Sequence, residues 1–150
     1  MGLLKEYNEE LEGTVEQLPP VLAWLEASGH QQMLDSCGER SRSAAGIVVR
    51  CTYDFHGLGS DELGRGPFHG SFFDLTVRDG EIVRAAGNVE ISEFSPQMWE
   101  PFFYWMDANH PADAEVMYIP SGNGARFTEE SIRLWEQHIQ EYVAAKTAGE

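Results

Sequence analysis

Basic side chains are scarce in this sequence: 10 Lys and Arg stand against 25 Asp and Glu, for a formal charge of −15. No Lys/Arg cluster interrupts the acidity, so nothing offers a stripe for a phosphate backbone, and nucleic acid and anionic membrane are excluded as partners. Acidity of this kind keeps a protein dispersed without implying a cationic ligand. Cysteine is almost absent. Cys37 and Cys51 are too few for a secreted disulfide scaffold and lack the paired spacing of a zinc site, so free thiols and a reducing cytoplasm are expected. Long apolar runs are missing as well: the start MGLLKEYNEELEG is charged almost at once, and no later stretch approaches the length of a membrane span. Neither export nor membrane embedding is expected. The glycines of GLGSDELGRG do not follow a strand and open a long helix, as a phosphate-binding loop requires, and they read as turn glycines.

What is present fits one domain spanning 1–150, long enough to bury a core without staples. Residues 1–13 read as a frayed helix or a poorly ordered start. In PPVLAWLEASG, Pro19 and Pro20 suit a first helical turn, Gly29 a C-terminal cap, and Val21, Leu22 and Leu25 one apolar stripe that Trp24 widens. Two strands follow at 30–37 and 47–55, joined by a polar loop over 38–46. Ile47, Val49, Cys51, Tyr53 and Phe55 alternate onto one face, which points Tyr53 toward the core. Symmetric pairing about that loop sets Cys37 near Ile47 and Cys51 near Met33, too far apart for disulfide geometry. Residues 68–91 form a second hairpin turning at Asp79-Gly80, a dipeptide that tolerates the positive φ of a type I′ turn.

Beyond it, Ser95 is expected to cap a helix with Pro96 at its first position and Trp99, Phe102, Phe103 and Met106 on one stripe, ended by Asn109-His110-Pro111. A short strand is predicted at 115–119. A final helix over 128–146 is capped by Thr128 and carries Ile132, Trp135, Ile139, Tyr142 and Val143 on one face. The class is α+β, a curved antiparallel sheet with helices on its concave face.

The second hairpin yields the candidate site. Counting outward from the turn pairs Arg78 with Glu81, Val77 with Ile82, Leu75 with Arg84, Phe73 with Ala86, Ser71 with Asn88 and His69 with Glu90. The face is apolar near the turn and polar farther out, the gradient of a pocket with a working end. A carboxylate beside apolar walls has its pKa raised, and a neighbouring imidazole can share the proton, so Glu90 reads as a catalytic base with His69 as its partner. The bland reading is a cross-strand ion pair at the surface. Ligand-binding candidates are Tyr53, Ser71, Phe73, Asn88 and Trp99, although aromatic residues at helical spacing are more often plain core. His56, Asp54, Asp61 and Glu62 lack any ligand spacing, so no metal is expected. Cys51, on an apolar face without an activating base, is assigned no chemistry.

The run GPFHGSFFDLTVRDGEIVRAAGNVEISEFSPQMWEPFFYWMDANHP, with VMY and RFTEESIRLWEQHIQEYV after it, resembles SnoaL-like proteins of the nuclear transport factor 2-like superfamily, over about the last two-thirds of the chain. The shared features are the hairpin ending Asp79, Gly80, Glu81, Ile82 and an acidic residue along the next strand, here Glu90. SPQMWEPF and FTEESIRLWEQH resemble an uncharacterised actinobacterial branch. The resemblance implies a cone-shaped α+β fold, commonly a homodimer, whose pocket takes a small hydrophobic molecule. It also implies cofactor-independent acid/base chemistry of an isomerase, cyclase or hydrolase, or else a non-catalytic ligand-binding or dimerisation module. Glu90 matches the position of the family's strand acid, as Glu in place of Asp. The family's N-terminal helices are largely missing here: the chain reads as a shortened member, or one closed by 1–13 and the C-terminal helix, or one closed by a partner subunit.

Overall fold

The computed structural model describes residues 18–122 and 124–149; the expectation for 1–13 lies outside these. Helix α1 (Leu18–Ala27) is followed by β1 (Gln31–Ser43), β2 (Gly46–His56), β3 (Phe68–Arg78) and β4 (Glu81–Asn88). A π-helical turn (Ser95–Trp99) leads into α2 (Glu100–Asn109), α3 (Pro111–Met117), a 3-10 turn (Pro120–Gly122) and α4 (Glu129–Thr147). The four strands form one antiparallel sheet in sequential order, so the class is α+β. Among the described residues no helix is long and apolar enough to cross a membrane.

Helix α1 ends as its sequence dictates. Gly29 takes φ 73°, Gly29 N–H donates to Glu26 C=O and His30 N–H to Leu25 C=O, the two bonds of a Schellman cap. At the other end of the chain the Thr128 hydroxyl oxygen accepts from Ser131 N–H at 3.1 Å, the expected N-cap of α4. Ser95 does not cap its helix. It lies inside the π-helical turn that Phe94 precedes without any side-chain cap bond. The strand predicted at 115–119 is also replaced: α3 runs to Met117, and only Tyr118 pairs in extended form, with Ala125.

The first hairpin is longer than its sequence implies. Strand β1 continues through the polar residues after Gly38 and turns at Ala44 and Ala45. An edge strand exposed along its whole length tolerates such residues, and Glu39 pairs with Arg42 while Arg40 reaches Asp74. Moving the turn moves the register, so Cys37 lies directly opposite Cys51 with Cα atoms 4.1 Å apart. The two are joined by a disulfide, which corrects the expectation of free thiols. Disulfides persist in oxidising surroundings and are rare in a reducing cytoplasm, so the thiol argument for a cytoplasmic location falls away.

The second hairpin turns where expected, with Asp79 at φ 53° and Gly80 at φ 79°. Arg78 opposes Glu81 and Val77 opposes Ile82, but a β-bulge then inserts Val83, and Thr76 meets Arg84. From there every partner is displaced by one: Leu75 faces Ala85, Phe73 faces Gly87, and Phe72 faces Asn88. A one-residue slip exchanges the faces of a strand. The helix-side face therefore gains Ala85 and Gly87, where the unbulged count places Arg84 and Ala86. The opposite face collects Arg50, Asp74, Phe72 and Asn88, with Arg50 donating twice to Asp74 at 2.8 and 2.9 Å and lying 3.7 Å above the Phe72 ring.

The core lies where Tyr53, Phe55 and Phe68 of the sheet meet Phe94, Met98, Phe102, Met117 and Trp135 of the helical layer. Phe94 bridges the two, 5.1 Å from Phe55 and 5.3 Å from Phe68 between ring centroids. The turn end of the sheet extends beyond this core: Ile47, Val49, Leu75 and Val77 are half-buried and Ile82 is 62 % exposed.

Candidate functional site

Two bulges decide where the expected site residues stand. The second lies in β3, where Tyr53 opposes Ser71 but Phe55 opposes Phe68. The extra residue there lets Phe68 take the inward place and turns His69 outward, exposed, with Nδ1 2.7 Å from Asp54 Oδ1. His69 and Glu90 are thus not partners. Glu90 packs its stem over Gly70, where an added Cβ would meet Glu90 Cγ at 3.2 Å. Its carboxylate accepts from Ser92 N–H at 3.1 Å, and hydrogen bonding to Ser92 holds its pKa below the ordinary range, opposite to the rise expected of a base in an apolar pocket.

Tyr53 and Ser71 do meet across β2 and β3, and both are buried. Burial pushes the Tyr53 phenol up, and the Ser71 hydroxyl offsets part of the shift without reaching hydrogen-bond geometry. Ser71 Oγ instead accepts from Glu90 N–H at 2.9 Å. Phe73 lies beside Tyr53 at 5.6 Å. Asn88, opposite Phe72, belongs to the other face of the sheet. Trp99 stands apart from all of these, donating its indole N–H to Gly122 C=O at 3.1 Å. The paper metal set is dispersed: Asp54 holds His69, and His56 Nδ1 lies 2.8 Å from Ser60 Oγ, with Asp61 3.8 Å from its other ring nitrogen.

An aromatic-lined arrangement lies elsewhere, between the end of α1, the start of the loop after β2, and residues 89–99. It is a cavity of about 70 Å³ with Trp24, His30, Phe55, Val89, Phe94 and Trp99 among its walls. Local structure places each of them. The Schellman cap delivers His30 onto Phe55, rings stacked at 5.5 Å. The loop is tied to the helix end by Leu58 N–H donating to Ser28 C=O at 3.0 Å, with Leu58 in the left-handed region at φ 57°. Trp24 is held edge-on to Trp135 and Phe127 at 5.5 and 5.9 Å.

Two of the lining residues carry polar groups. Burial lowers the His30 pKa from its ordinary 6.5 to about 4, so its imidazole is neutral at physiological pH. The Trp24 indole N–H is buried and has no hydrogen-bond partner among the described residues. A buried orphan donor carries a desolvation cost of roughly 1–3 kcal/mol, which an acceptor that reached it would relieve. A larger, more open groove of about 740 Å³ separates the end of α1 from α4, rimmed by Glu26, Glu62 and Glu136, but it lacks aromatic walls.

Of the catalytic and ligand-binding candidates read from the sequence, Trp99 alone lines the aromatic cavity; Trp24 and Phe55 read there as core, and His30 and Phe94 carry no assignment. The available signal was His30 itself, a lone imidazole directly after a glycine cap and before a strand. No family model, curated protein or solved structure matches the chain.

Proposed function

We propose that this chain is a SnoaL-like small-molecule-binding protein whose ligand enters the aromatic cavity beside Trp24 and His30. The observation that carries the reading is the unpartnered, buried indole N–H of Trp24, a residue of the largely apolar cavity wall. A cavity of about 70 Å³ is well below the usual size of a site for a drug-sized ligand, so it takes a few heavy atoms. The fitting ligand is neutral and mostly hydrocarbon, with one acceptor oxygen for the indole. Binding is preferred to acid/base turnover because the Glu90 carboxylate is stabilised in its charged form by Ser92, and His69 is engaged by Asp54. The protein is further taken to be a homodimer, joined through the apolar strip of Ile47, Val49, Leu75, Val77 and Ile82 that extends past the helices.

Titration with cyclohexanone, followed by the indole N–H signals in nitrogen-proton correlation spectra, tests the site. The Trp24 signal is expected to move and saturate while that of Trp105 stays still. Trp24→Phe should weaken binding at least about fivefold, the loss of one hydrogen bond of about 1 kcal/mol. Glu90→Gln should leave it unchanged. A shift of all four indoles alike, or product formation that Glu90→Gln abolishes, would overturn the reading.

A further inference from the structure

A second cluster lies on the far side of the helical layer. His110 occupies the junction between α2 and α3, at φ −140° and ψ 57°, where Pro111 starts the next helix. Asp113 lies in the first turn of α3. His138 and Glu141 are three apart on α4 and so share a face, which packs against that junction. His138 is 1 % exposed. Its Nδ1 is 2.8 Å from Glu141 Oε2 and its Nε2 is 2.7 Å from Asp113 Oδ2. His110 Nε2 is 3.4 Å from the same Glu141 oxygen, and the two imidazole rings lie 4.3 Å apart.

We propose that His110, His138 and Glu141 bind a divalent transition-metal ion, zinc by preference, with Asp113 orienting His138. One ligand atom from each of the three lies within 4.8 Å of the others. Tetrahedral zinc with bonds of about 2.0–2.1 Å holds its ligand atoms about 3.4 Å apart. The His110–Glu141 separation matches that edge, the His138–Glu141 contact has to open by roughly half an ångström, and the two histidine nitrogens, up to 4.8 Å apart, have to close by up to about 1.4 Å, a movement left to the partly exposed His110 and Glu141 side chains. Two imidazoles and one carboxylate are a donor set suited to zinc, and three protein ligands leave a fourth position for water.

Asp113 supplies the feature that a bare ion-pair network does not require. A metal-bound histidine gives its other ring N–H to a carboxylate, which fixes the tautomer and raises ligand basicity. With Asp113 accepting from Nε2–H, the ion would take Nδ1 of His138, which gives up to solvent the proton it shares with Glu141 in the metal-free protein. An ordinary charged network explains the bond to Asp113 and the bond to Glu141. It gives no reason for a second imidazole to stand over the first with its own nitrogen on the shared oxygen.

The test uses the full chain, freed of metal by chelator and kept without reductant so that Cys37 and Cys51 stay bonded. Titration with zinc ion alone, by calorimetry and by competition against a chromophoric chelator, should give one ion per chain and a raised melting temperature. His110→Ala and Glu141→Gln, at side chains that are partly exposed and safe for folding, should each weaken binding at least tenfold with circular dichroism unchanged. Asp113→Asn should weaken it 10- to 100-fold. Cobalt substitution should give the intense visible bands of a tetrahedral site. Absence of binding overturns the proposal, as does zinc uptake that His110→Ala and Glu141→Gln leave untouched, since that uptake belongs to the acidic surface. Unchanged affinity in Asp113→Asn removes the positioning role of that residue.

Discussion

At His30 burial and titration are directly coupled. Its folded pKa of about 4 lies below the ordinary 6.5, so the unfolded chain binds a proton that the folded chain refuses between those two values. Stability from this group is complete above pH 6.5 and is lost as pH falls toward 4, by up to about 3 kcal/mol. His30→Phe keeps the stacking on Phe55 and removes the proton. Its melting temperature should therefore fall less than that of the parent between pH 6.5 and 4, as measured by calorimetry at several pH values. Equal slopes would place the imidazole in contact with water. Gln32 Nε2, 3.0 Å from His30 Nε2, donates to the neutral ring and fits the same assignment.

At the scale of elements, the Val83 bulge determines which side chains of β4 face the helices. Deleting Val83 should remove the bulge and keep Thr76 opposite Arg84 and Leu75 opposite Ala85, so the faces of β4 are preserved and the cost in urea unfolding should stay within about 1 kcal/mol. The Cys37–Cys51 bond closes a loop with a sequence separation of 14, and reduction should cost up to about 3 kcal/mol in the chain-entropy description. Comparing urea midpoints with and without reductant checks it, with Cys37→Ser plus Cys51→Ser as the control that no longer responds. These elements also mark what the sequence makes legible. The Asp79-Gly80 turn, the Gly29 cap and the Thr128 cap were all readable, because each depends on a local preference of one or two residues. The bulges were not. They add one residue without a distinctive side chain, and each shifts every partner beyond it along the strand, which separates His69 from Glu90. The polar continuation of β1 was hidden for a related reason, since an edge strand with water on both sides needs no alternating pattern. His110 and His138 are 28 positions apart, and only the packing of α4 on the α2–α3 junction unites them.

For the molecule as a whole, the sheet is covered at one end and left apolar at the other. If two copies join there, light scattering should give twice the mass of the chain, and Ile82→Arg should return it to the monomer with its circular dichroism intact. A monomer at all concentrations would assign the strip some other role. The four tryptophans divide into a contact group of three and one that Phe102 separates from it. Trp24, Trp99 and Trp135 form one contact group, with Trp99 stacked on Trp135 at 5.7 Å, and two of the three wall the aromatic cavity. Trp105 instead lies edge-on to His110 at 5.4 Å. The protein thereby carries two optical reporters of its own: a coupled indole trio whose near-ultraviolet dichroism registers events at the cavity, and a lone indole at the histidine cluster whose share of the emission is isolated by subtracting that of Trp105→Phe.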